Sequence, residues 1–329
     1  MKGRKNMAKK IGLVGIYFPG AYDALHENVP EGFELVDALS PEAYGNLADC
    51  EYLISRLDID PDIINHTPNV KFWQRWGAGF DHVDLKAWGE RGIPIATCPG
   101  VNSGIVAELA IMLMLAGYRN LLQINRQLRA GHWPRTEYFG RSFMIKGKTV
   151  GVLGLGHIGK KVAALATAFG ANVIYYDIVR QTEQEEKFGY RFVDFDTLLR
   201  ESDIYTIHCP LNEETRGMIG VEQFAQMKPT AMLINTARGP IVDEAALIDA
   251  LTTSRIATAG LDTYEREPLP KDHPLLTLDN VVASAHAGGN TKDNDINMVN
   301  YVYHNIVAFD RGEPLNTPGD IVNGEYLKK

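Results

Sequence analysis

Short apolar runs recur along the chain, and longer amphipathic stretches lie between them. In the first third these runs predict strands at Lys10–Tyr17, Phe33–Asp37, Tyr52–Ser55, Lys71–Trp76 and Ile93–Thr97. A second series predicts strands at Thr149–Leu153, Asn172–Tyr176, Ile204–His208, Met232–Asn235, Thr258–Leu261 and Val281–Ser284. Apolar strands that alternate with helices are typical of parallel sheets covered on both faces. The pattern therefore predicts an α/β protein with two sheets.

Apolar residues at spacings of three and four predict the main helices. One helix has a predicted core face made of Ile158, Val162, Leu165, Ala166 and Phe169. Gly170 follows it as a stop signal, and a closing helix at Lys292–Asp310 is followed by Gly312. The apolar run Ile105–Gly117 contains Glu108 and is shorter than the roughly 18 residues of a membrane span. We expect it to be a buried helix.

Length and composition suggest a soluble protein with two domains. The chain has 329 residues, of which 45% are hydrophobic and 22% are charged, close to globular averages. A net charge of -8 disfavours nucleic-acid and membrane partners. Cys50, Cys98 and Cys209 are far apart and form no CxxC pair, so neither a disulfide framework nor a metal site is expected. The simplest compartment is the cytoplasm.

A glycine pattern lies between the first strand and the first helix of the second series. Gly154, Gly156 and Gly159 form G-x-G-x-x-G in the strand–turn–helix setting of a dinucleotide-binding turn. In such a turn the second glycine lets the backbone approach a pyrophosphate. The helix start at His157 and Ile158 would offer N–H groups and a positive dipole end to the phosphates.

Asp177 ends the following strand, close to the spacing at which an acid accepts the ribose hydroxyls of a dinucleotide. A carboxylate there also repels a 2′-phosphate, so NAD is favoured over NADP. Arg180 lies three residues further along the chain and weakens that inference.

Polar residues follow three later strands, at the edge where open α/β sheets form their ligand crevice. Arg238, Glu267 and His286 occur there in that order, with Pro268 after the Glu and small residues after the His. This arrangement resembles the D-isomer-specific 2-hydroxyacid dehydrogenases.

Other motifs fit the same family in register. They are Gly77–Asp84, Pro99–Ser103 leading to Val106–Glu108, His208–Leu211 with Glu214–Thr215, and Met227–Lys228. The resemblance implies two Rossmann-like, doubly wound parallel-sheet domains. An NAD-binding domain at 106–290 would be inserted into a discontinuous, flavodoxin-like substrate domain at 1–105 and 291–329. It further implies hydride transfer between NAD(H) and a small 2-hydroxy or 2-oxo acid.

The chemistry of the three residues suits this reaction. Arg238 can bind a carboxylate through two parallel hydrogen bonds and stays charged. His286 can exchange a proton near neutral pH, and Glu267 beside it would favour the imidazolium form. We therefore expect His286 and Glu267 to act as the acid/base pair, with two closing domains orienting the reactants.

Further contacts are expected on both sides of the crevice. The backbone of Ala78 and Gly79 can approach the substrate carboxylate, since a Gly-x-Gly loop leaves its N–H groups accessible. By resemblance, Asn102 also belongs to the substrate site. The resemblance adds these cofactor contacts, besides the glycine turn and Asp177: Val106, His208, Pro210, Thr215, Thr236, Ala237, Arg238, Asp262, His286 and Gly288.

Three departures from the family pattern bear on the expected substrate and loop geometry. Ala285 stands where the family often has Pro, which leaves the backbone before His286 less restricted. Val101 stands where D-lactate enzymes typically have Tyr, so pyruvate is less favoured. Arg75 is shared with phosphoglycerate dehydrogenases and keeps phosphorylated acids open.

Two alternative functions remain, together with an expected oligomeric state. The same architecture serves an NAD-sensing corepressor, although this chain shows no added interaction tail. Formate dehydrogenases resemble it too but have Gln in place of Glu267. By resemblance, Ile105–Gly117 and Leu121–Trp133 form a dimer arm, so a homodimer is expected.

Overall fold

The structure is a computed structural model that describes residues 8–56, 59–81 and 83–327. Its strands are β1 (Lys9–Gly15), β2 (Phe33–Ala38), β3 (Tyr52–Arg56), β4 (Phe72–Arg75), β5 (Ile95–Ala96), β6 (Thr149–Leu153), β7 (Asn172–Tyr176), β8 (Arg191–Phe192), β9 (Ile204–Ile207), β10 (Met232–Asn235), β11 (Thr258–Leu261) and β12 (Val281–Ala283).

The α-helices lie mainly between consecutive strands. They are α1 (Pro19–Glu27), α2 (Leu85–Glu90), α3 (Ser103–Tyr118), α4 (Leu121–Arg129), α5 (His157–Ala168), α6 (Thr182–Phe188), α7 (Phe195–Glu201), α8 (Val221–Gln226), α9 (Glu244–Thr252) and α10 (Lys292–Arg311). Short 3₁₀ segments occur at Pro41–Asp49, Pro61–His66, Gly239–Ile241, Pro274–Leu276 and Gly324–Tyr326.

The chain divides into two compact units. The described residues up to Asn102 and from Asn290 onward form the first unit, and Ser103–Gly289 form the second. These bounds lie within a few residues of the predicted domain limits.

Both sheets are parallel throughout. In the first unit the strand order is β2-β1-β3-β4-β5, the order of flavodoxin-like sheets. In the second unit the order is β8-β7-β6-β9-β10-β11-β12. Counted from β6 this is the doubly wound nucleotide-binding order 3-2-1-4-5-6 with one more strand at the edge. The predicted fold class is confirmed.

Each sheet separates two apolar layers, because successive residues of a strand point to opposite faces. In β3, Tyr52 and Ile54 pack with α1 and α10, whereas Leu53 faces Tyr44 and Trp88 on the other side. The second unit repeats this arrangement, with α3 and α5 covering one face and α7, α8 and α9 covering the other. Burial on both faces explains why the strands read as continuous apolar runs.

The predicted apolar helix is α3, and most of its side chains are buried. Ala107, Ala110, Leu113 and Met114 are fully buried, and the helix packs beside α5 against the sheet. Of the helices in the described residues, none is by itself long and apolar enough to cross a membrane. The pair α3 and α4, bent by 62°, meets the length and composition criterion when taken together.

The prediction that Phe169 belongs to the core face of α5 is wrong. Phe169 lies at the C-cap of α5, one residue beyond the helix, and its side chain is exposed. The apolar spacing continues past the point where the helix ends, so periodicity alone placed Phe169 on the core face. Gly170 does adopt the left-handed conformation expected of a stop signal, with φ of +81°.

Candidate active site

The glycine turn between β6 and α5 brings several chain segments into contact. A Cβ on Gly154 would lie 2.8 Å from the backbone nitrogen of Cys209, and Gly154 has φ of +89°. A Cβ on Gly159 would lie 2.1 Å from the carbonyl oxygen of Gly154. Both positions therefore need glycine for the protein's own packing, as the fingerprint predicts.

The middle glycine of the turn has a different surrounding. A Cβ on Gly156 would meet no described atom within 4 Å, so the space above it is open. His157 and Ile158 begin α5 beside this opening, and the first N–H groups of a helix have no partner within the helix. An open backbone next to a helix N-terminus fits a pyrophosphate group.

The carboxylate of Asp177 contacts the same turn. Its Oδ2 accepts the N–H of Leu155 at 2.6 Å, and its Oδ1 accepts the N–H of Val179 at 3.1 Å. Asp177 is half-buried, and each carboxylate oxygen can accept a further hydrogen bond. These oxygens are therefore fixed at the end of β7, where a ribose could use them.

The loop after β9 contains His208, Pro210 and Thr215. Burial lowers the pKa of His208 to about 3, so its ring is neutral near pH 7. Its Nε2 lies 2.8 Å from the hydroxyl of Thr206, and its buried Nδ1 has no hydrogen-bond partner in the described part of the chain. The Thr215 hydroxyl donates to the carbonyl of Pro210 at 2.7 Å, which closes the loop on itself.

Arg238 lies in the loop after β10. Asn235 fixes this loop by donating from its side chain to the carbonyl of Arg238 at 2.9 Å and accepting the N–H of Ala237 at 3.0 Å. The Arg238 guanidinium donates to the carbonyl of Ala237 at 2.7 Å. Between them, the buried hydroxyl of Thr236 has no hydrogen-bond partner among the described residues, as expected of a group that meets a ligand.

His286 and Glu267 form a hydrogen-bonded pair. His286 Nδ1 lies 2.6 Å from Glu267 Oε2, and the two side chains are 49% and 34% exposed. Burial raises the pKa of Glu267, but hydrogen bonds from His286 and from the N–H of Tyr264 outweigh it, and nearby Arg238 adds to them. The pKa of Glu267 is therefore below its usual value, and the carboxylate is ionised beside the imidazole.

Tyr264 connects the loops that carry the pair, a role that sequence reasoning missed. Its N–H donates to Glu267 Oε1 at 3.0 Å, and its buried hydroxyl donates to the carbonyl of Ser284 at 2.7 Å. A Cβ on Gly239 would lie 1.9 Å from the carbonyl carbon of Tyr264, so only glycine lets these loops approach so closely. The only available signal was an aromatic residue just before Glu267.

Asp262 holds the His286 loop. Its carbonyl accepts the N–H of His286 at 2.8 Å, and its buried carboxylate accepts the N–H groups of Ala287 and Gly288, each at 2.9 Å. A Cβ on Gly288 would lie 3.5 Å from the Val106 side chain. The structure thus groups Val106, Asp262 and Gly288, and three successive N–H groups fix the position of His286.

The expected substrate residues Ala78, Gly79 and Asn102 lie in the first unit. Ala78 and Gly79 follow β4, and Asn102 lies beyond β5, which pairs with β4. The strands are parallel, so both segments lie at the carboxyl edge of this sheet. The catalytic and cofactor candidates belong to the second unit, where they lie at the corresponding edge.

Comparison with known proteins gives an independent identification. The family described as D-isomer specific 2-hydroxyacid dehydrogenase, NAD binding domain, matches residues 111–288. A glyoxylate reductase of Korarchaeum cryptofilum is 39% identical over 284 residues, covering 85% of each chain. A D-3-phosphoglycerate dehydrogenase of Archaeoglobus fulgidus is 41% identical over 261 residues, but the match covers 79% of this chain and only 49% of that protein.

A solved structure matches nearly the whole chain. The crystal structure of a glyoxylate reductase from Paecilomyes thermophila superposes with a TM-score of 0.81 at 31% identity, covering 95% of this chain and 98% of the other. The family match covers more than half of the chain, and it includes the glycine turn and the loops of Arg238, Glu267 and His286. The chain therefore belongs to the D-isomer specific 2-hydroxyacid dehydrogenase family and is an NAD-dependent oxidoreductase.

Proposed function

We propose that this enzyme transfers a hydride between NAD(H) and a small D-2-hydroxy or 2-oxo acid, with Arg238, Glu267 and His286 as its catalytic residues. The observation that carries the proposal is the 2.6 Å contact between His286 and Glu267 in the loops beside Arg238. An imidazole held by an ionised carboxylate is a recurring proton-transfer device.

The second unit supplies the residues that would hold the cofactor. The open backbone at Gly156 and the start of α5 suit the pyrophosphate, and Asp177 suits the ribose hydroxyls. The buried, unpartnered polar atoms of Thr236 and His208 would gain partners from the dinucleotide. When bound, the nicotinamide supplies the hydride donor or acceptor.

Arg238 orients the substrate. Its planar guanidinium binds the carboxylate and polarises the neighbouring carbonyl. Ala78, Gly79 and Asn102 are proposed as further substrate contacts. Held in this way, the acid presents one face of its second carbon to the nicotinamide. Orientation of this kind can contribute several kcal/mol to lowering the barrier.

His286 moves the proton. With Nδ1–H donated to Glu267, the opposite ring atom Nε2 is the one that exchanges a proton with the substrate oxygen. In reduction the carbonyl carbon gains a hydride and its oxygen takes the proton from Nε2, which leaves a neutral imidazole. In oxidation Nε2 removes the hydroxyl proton, and Glu267 stabilises the imidazolium that forms.

For the substrate we propose a short 2-oxo acid such as glyoxylate or hydroxypyruvate. The relatives named glyoxylate reductase cover most of this chain, and Val101 replaces the aromatic residue of D-lactate enzymes. Phosphorylated acids are the second candidate. They are favoured by Arg56 and Arg75, two buried arginines at the carboxyl ends of β3 and β4, and by the phosphoglycerate dehydrogenase relative.

Oxidation of NADH by a panel of acids tests this proposal. The panel contains glyoxylate, hydroxypyruvate, pyruvate, a bulkier aliphatic 2-oxo acid and a phosphorylated one. We expect turnover that is fastest with the first two, and chiral analysis should find the D-hydroxy acid wherever the product is chiral. No turnover with any member, or an L-product, would contradict it.

We also propose that the enzyme is a homodimer that associates through residues 121–144. Leu121, Trp133, Phe139 and Met144 of this segment are between 54% and 80% exposed, and exposed apolar patches mark interfaces. Residues 121–144 contain four Arg but one acidic residue, Glu137, in a chain of net charge -8, so the acidic remainder of a second copy complements them. Light scattering at micromolar concentration should give twice the mass of one chain, and a monomeric mass would refute the dimer.

A further inference from the structure

An arginine lies close to the proposed ribose site. Arg180 follows Asp177 by three residues, in the loop that joins β7 to α6. In dinucleotide-binding sheets, an arginine near this position accommodates the 2′-phosphate that distinguishes NADP from NAD. The same loop thus holds a residue that opposes NADP and one suited to bind it.

The structure pairs Arg180 with an acid of the next helix. The Nε and Nη2 atoms of Arg180 donate to Oε1 and Oε2 of Glu185, at 2.9 and 2.7 Å. This is the two-point geometry with which a guanidinium would bind a phosphate. The guanidinium also lies over the ring of Phe192, with its central carbon 5.4 Å from the ring centre.

Glu185 is itself held in place. The buried Tyr175 donates its hydroxyl to Glu185 Oε1 at 2.7 Å, and the N–H of Gln181 donates to that hydroxyl at 2.8 Å. The side chain of Glu185 is 17% exposed. Hydrogen bonds from Arg180 and Tyr175 lower the pKa of Glu185 to about 2, so its carboxylate is ionised at any working pH.

We propose that Glu185 is a specificity-determining residue that favours NAD by occupying the guanidinium of Arg180 with its own carboxylate. Glu185 acts through Arg180 and is a positioning residue, while Asp177 repels the 2′-phosphate directly. The inference rests on the proposed place of Asp177 at the ribose. NADP binding then requires Arg180 to leave Glu185, whereas NAD binding does not.

The size of the effect follows from the type of ion pair. An ion pair at the protein surface shifts an equilibrium constant by at most about fivefold. The two-point geometry of the Arg180–Glu185 pair places it near that limit. Loss of the Glu185 charge also weakens repulsion of a phosphate. Releasing Arg180 should therefore tighten NADPH binding roughly fivefold and leave NADH binding within about twofold.

Fluorescence titration of the purified enzyme with NADPH and with NADH measures these affinities without turnover. The test variant is Glu185→Gln, which keeps an acceptor for the Tyr175 hydroxyl. The matched control is Glu186→Gln, which removes the same charge from an exposed neighbour that makes no ion pair within the described residues. The double variant Arg180→Ala/Glu185→Gln removes the freed guanidinium as well.

We expect tighter NADPH binding in Glu185→Gln alone, with wild-type affinity in the control and loss of the gain in the double variant. Equal gains in Glu185→Gln and Glu186→Gln, or a gain that persists without Arg180, would overturn the inference. If the melting temperature of Glu185→Gln is well below that of the wild type, Glu185→Asp is used instead, because its shorter side chain breaks the two-point contact with Arg180. Absence of NADH binding by the wild type would instead contradict the proposed function.

Discussion

The two halves of the proposed crevice in the second unit are built by opposite means. The catalytic loops, which follow β10, β11 and β12, are held by side chains. Asp262 accepts three successive N–H groups, and Tyr264 links the loops of Glu267 and His286. The glycine turn after β6 needs positions without side chains, since a Cβ at Gly154 or Gly159 would overlap backbone atoms, and Asp177 adds a hydrogen bond by accepting the N–H of Leu155.

The two halves should respond differently to substitution. His286 has φ of +49°, a conformation that costs a residue other than glycine roughly 1 kcal/mol, and the hydrogen bonds to Asp262 offset this cost. Changing a functional side chain there removes chemistry and leaves the supporting bonds intact. Adding a side chain to the glycine turn instead changes backbone packing or ligand access. We therefore expect the first kind of change to alter turnover and the second to alter NADH binding.

Arg238→Lys should strongly reduce catalysis. An ammonium cannot reproduce the two-point contact, so kcat/KM for the 2-oxo acid should fall roughly hundredfold, with NADH affinity within about twofold. Arg216→Lys, at an exposed arginine of the same unit, is the control. A small effect of Arg238→Lys would indicate that the loop of Ala78 and Gly79, and not Arg238, binds the substrate carboxylate.

Glu267→Gln should reduce turnover about tenfold and change its pH dependence. Reduction needs a proton from His286, and the variant lacks the carboxylate that holds the ring, so the loss of activity that follows protonation of Glu267 at low pH should be absent. In the wild type the pKa of Glu267 is lowered, so the carboxylate stays ionised below its usual titration range, and its support of His286 is lost only as pH falls through the lowered pKa. Identical pH profiles of the two enzymes would contradict this role, and Glu265→Gln is the neighbouring control.

Gly156→Ala and Gly159→Ala should separate ligand access from packing in the glycine turn. A Cβ at 156 meets open space, so the first variant should keep its melting temperature and bind NADH about tenfold more weakly. A Cβ at 159 meets a carbonyl oxygen, so the second should melt several degrees lower. Equal melting temperatures of the two variants would show that the backbone near Gly159 adjusts to a Cβ without loss of stability.

Asp177→Ala should give the smallest effect. Removing one charge near the proposed ribose site should improve NADPH binding relative to NADH by roughly fivefold. Titrations with both cofactors measure the ratio. An unchanged preference would show that another residue selects the cofactor.

The fold could be predicted because its strands are buried on both faces and read as apolar runs. β8 was missed, since Arg191–Phe192 is too short to show a pattern. Phe169 was placed wrongly because apolar spacing continues one residue past the end of α5. A two-residue strand and the single residue after a helix are both too short for periodicity to decide.

The candidate site was predictable where residue type and position at a strand end suffice. Arg238, Glu267 and His286 were chosen from their places after strands together with the family resemblance, and their catalytic roles stay predictions. The sequence carries no signal for the hydrogen bonds of Tyr264 or for the positive φ of His286, because both depend on how separate loops meet. Asp262 was expected at the cofactor, whereas its carboxylate accepts N–H groups of the His286 loop. Whether it also contacts the cofactor stays a prediction.

Turnover and NADH binding of His286→Ala, measured on the same preparation, would show whether His286 carries the proton. The variant should lose at least about a hundredfold in kcat with a short 2-oxo acid, because proton transfer is lost, and should bind NADH as the wild type does. Near-normal turnover would contradict the role of the imidazole as the proton carrier.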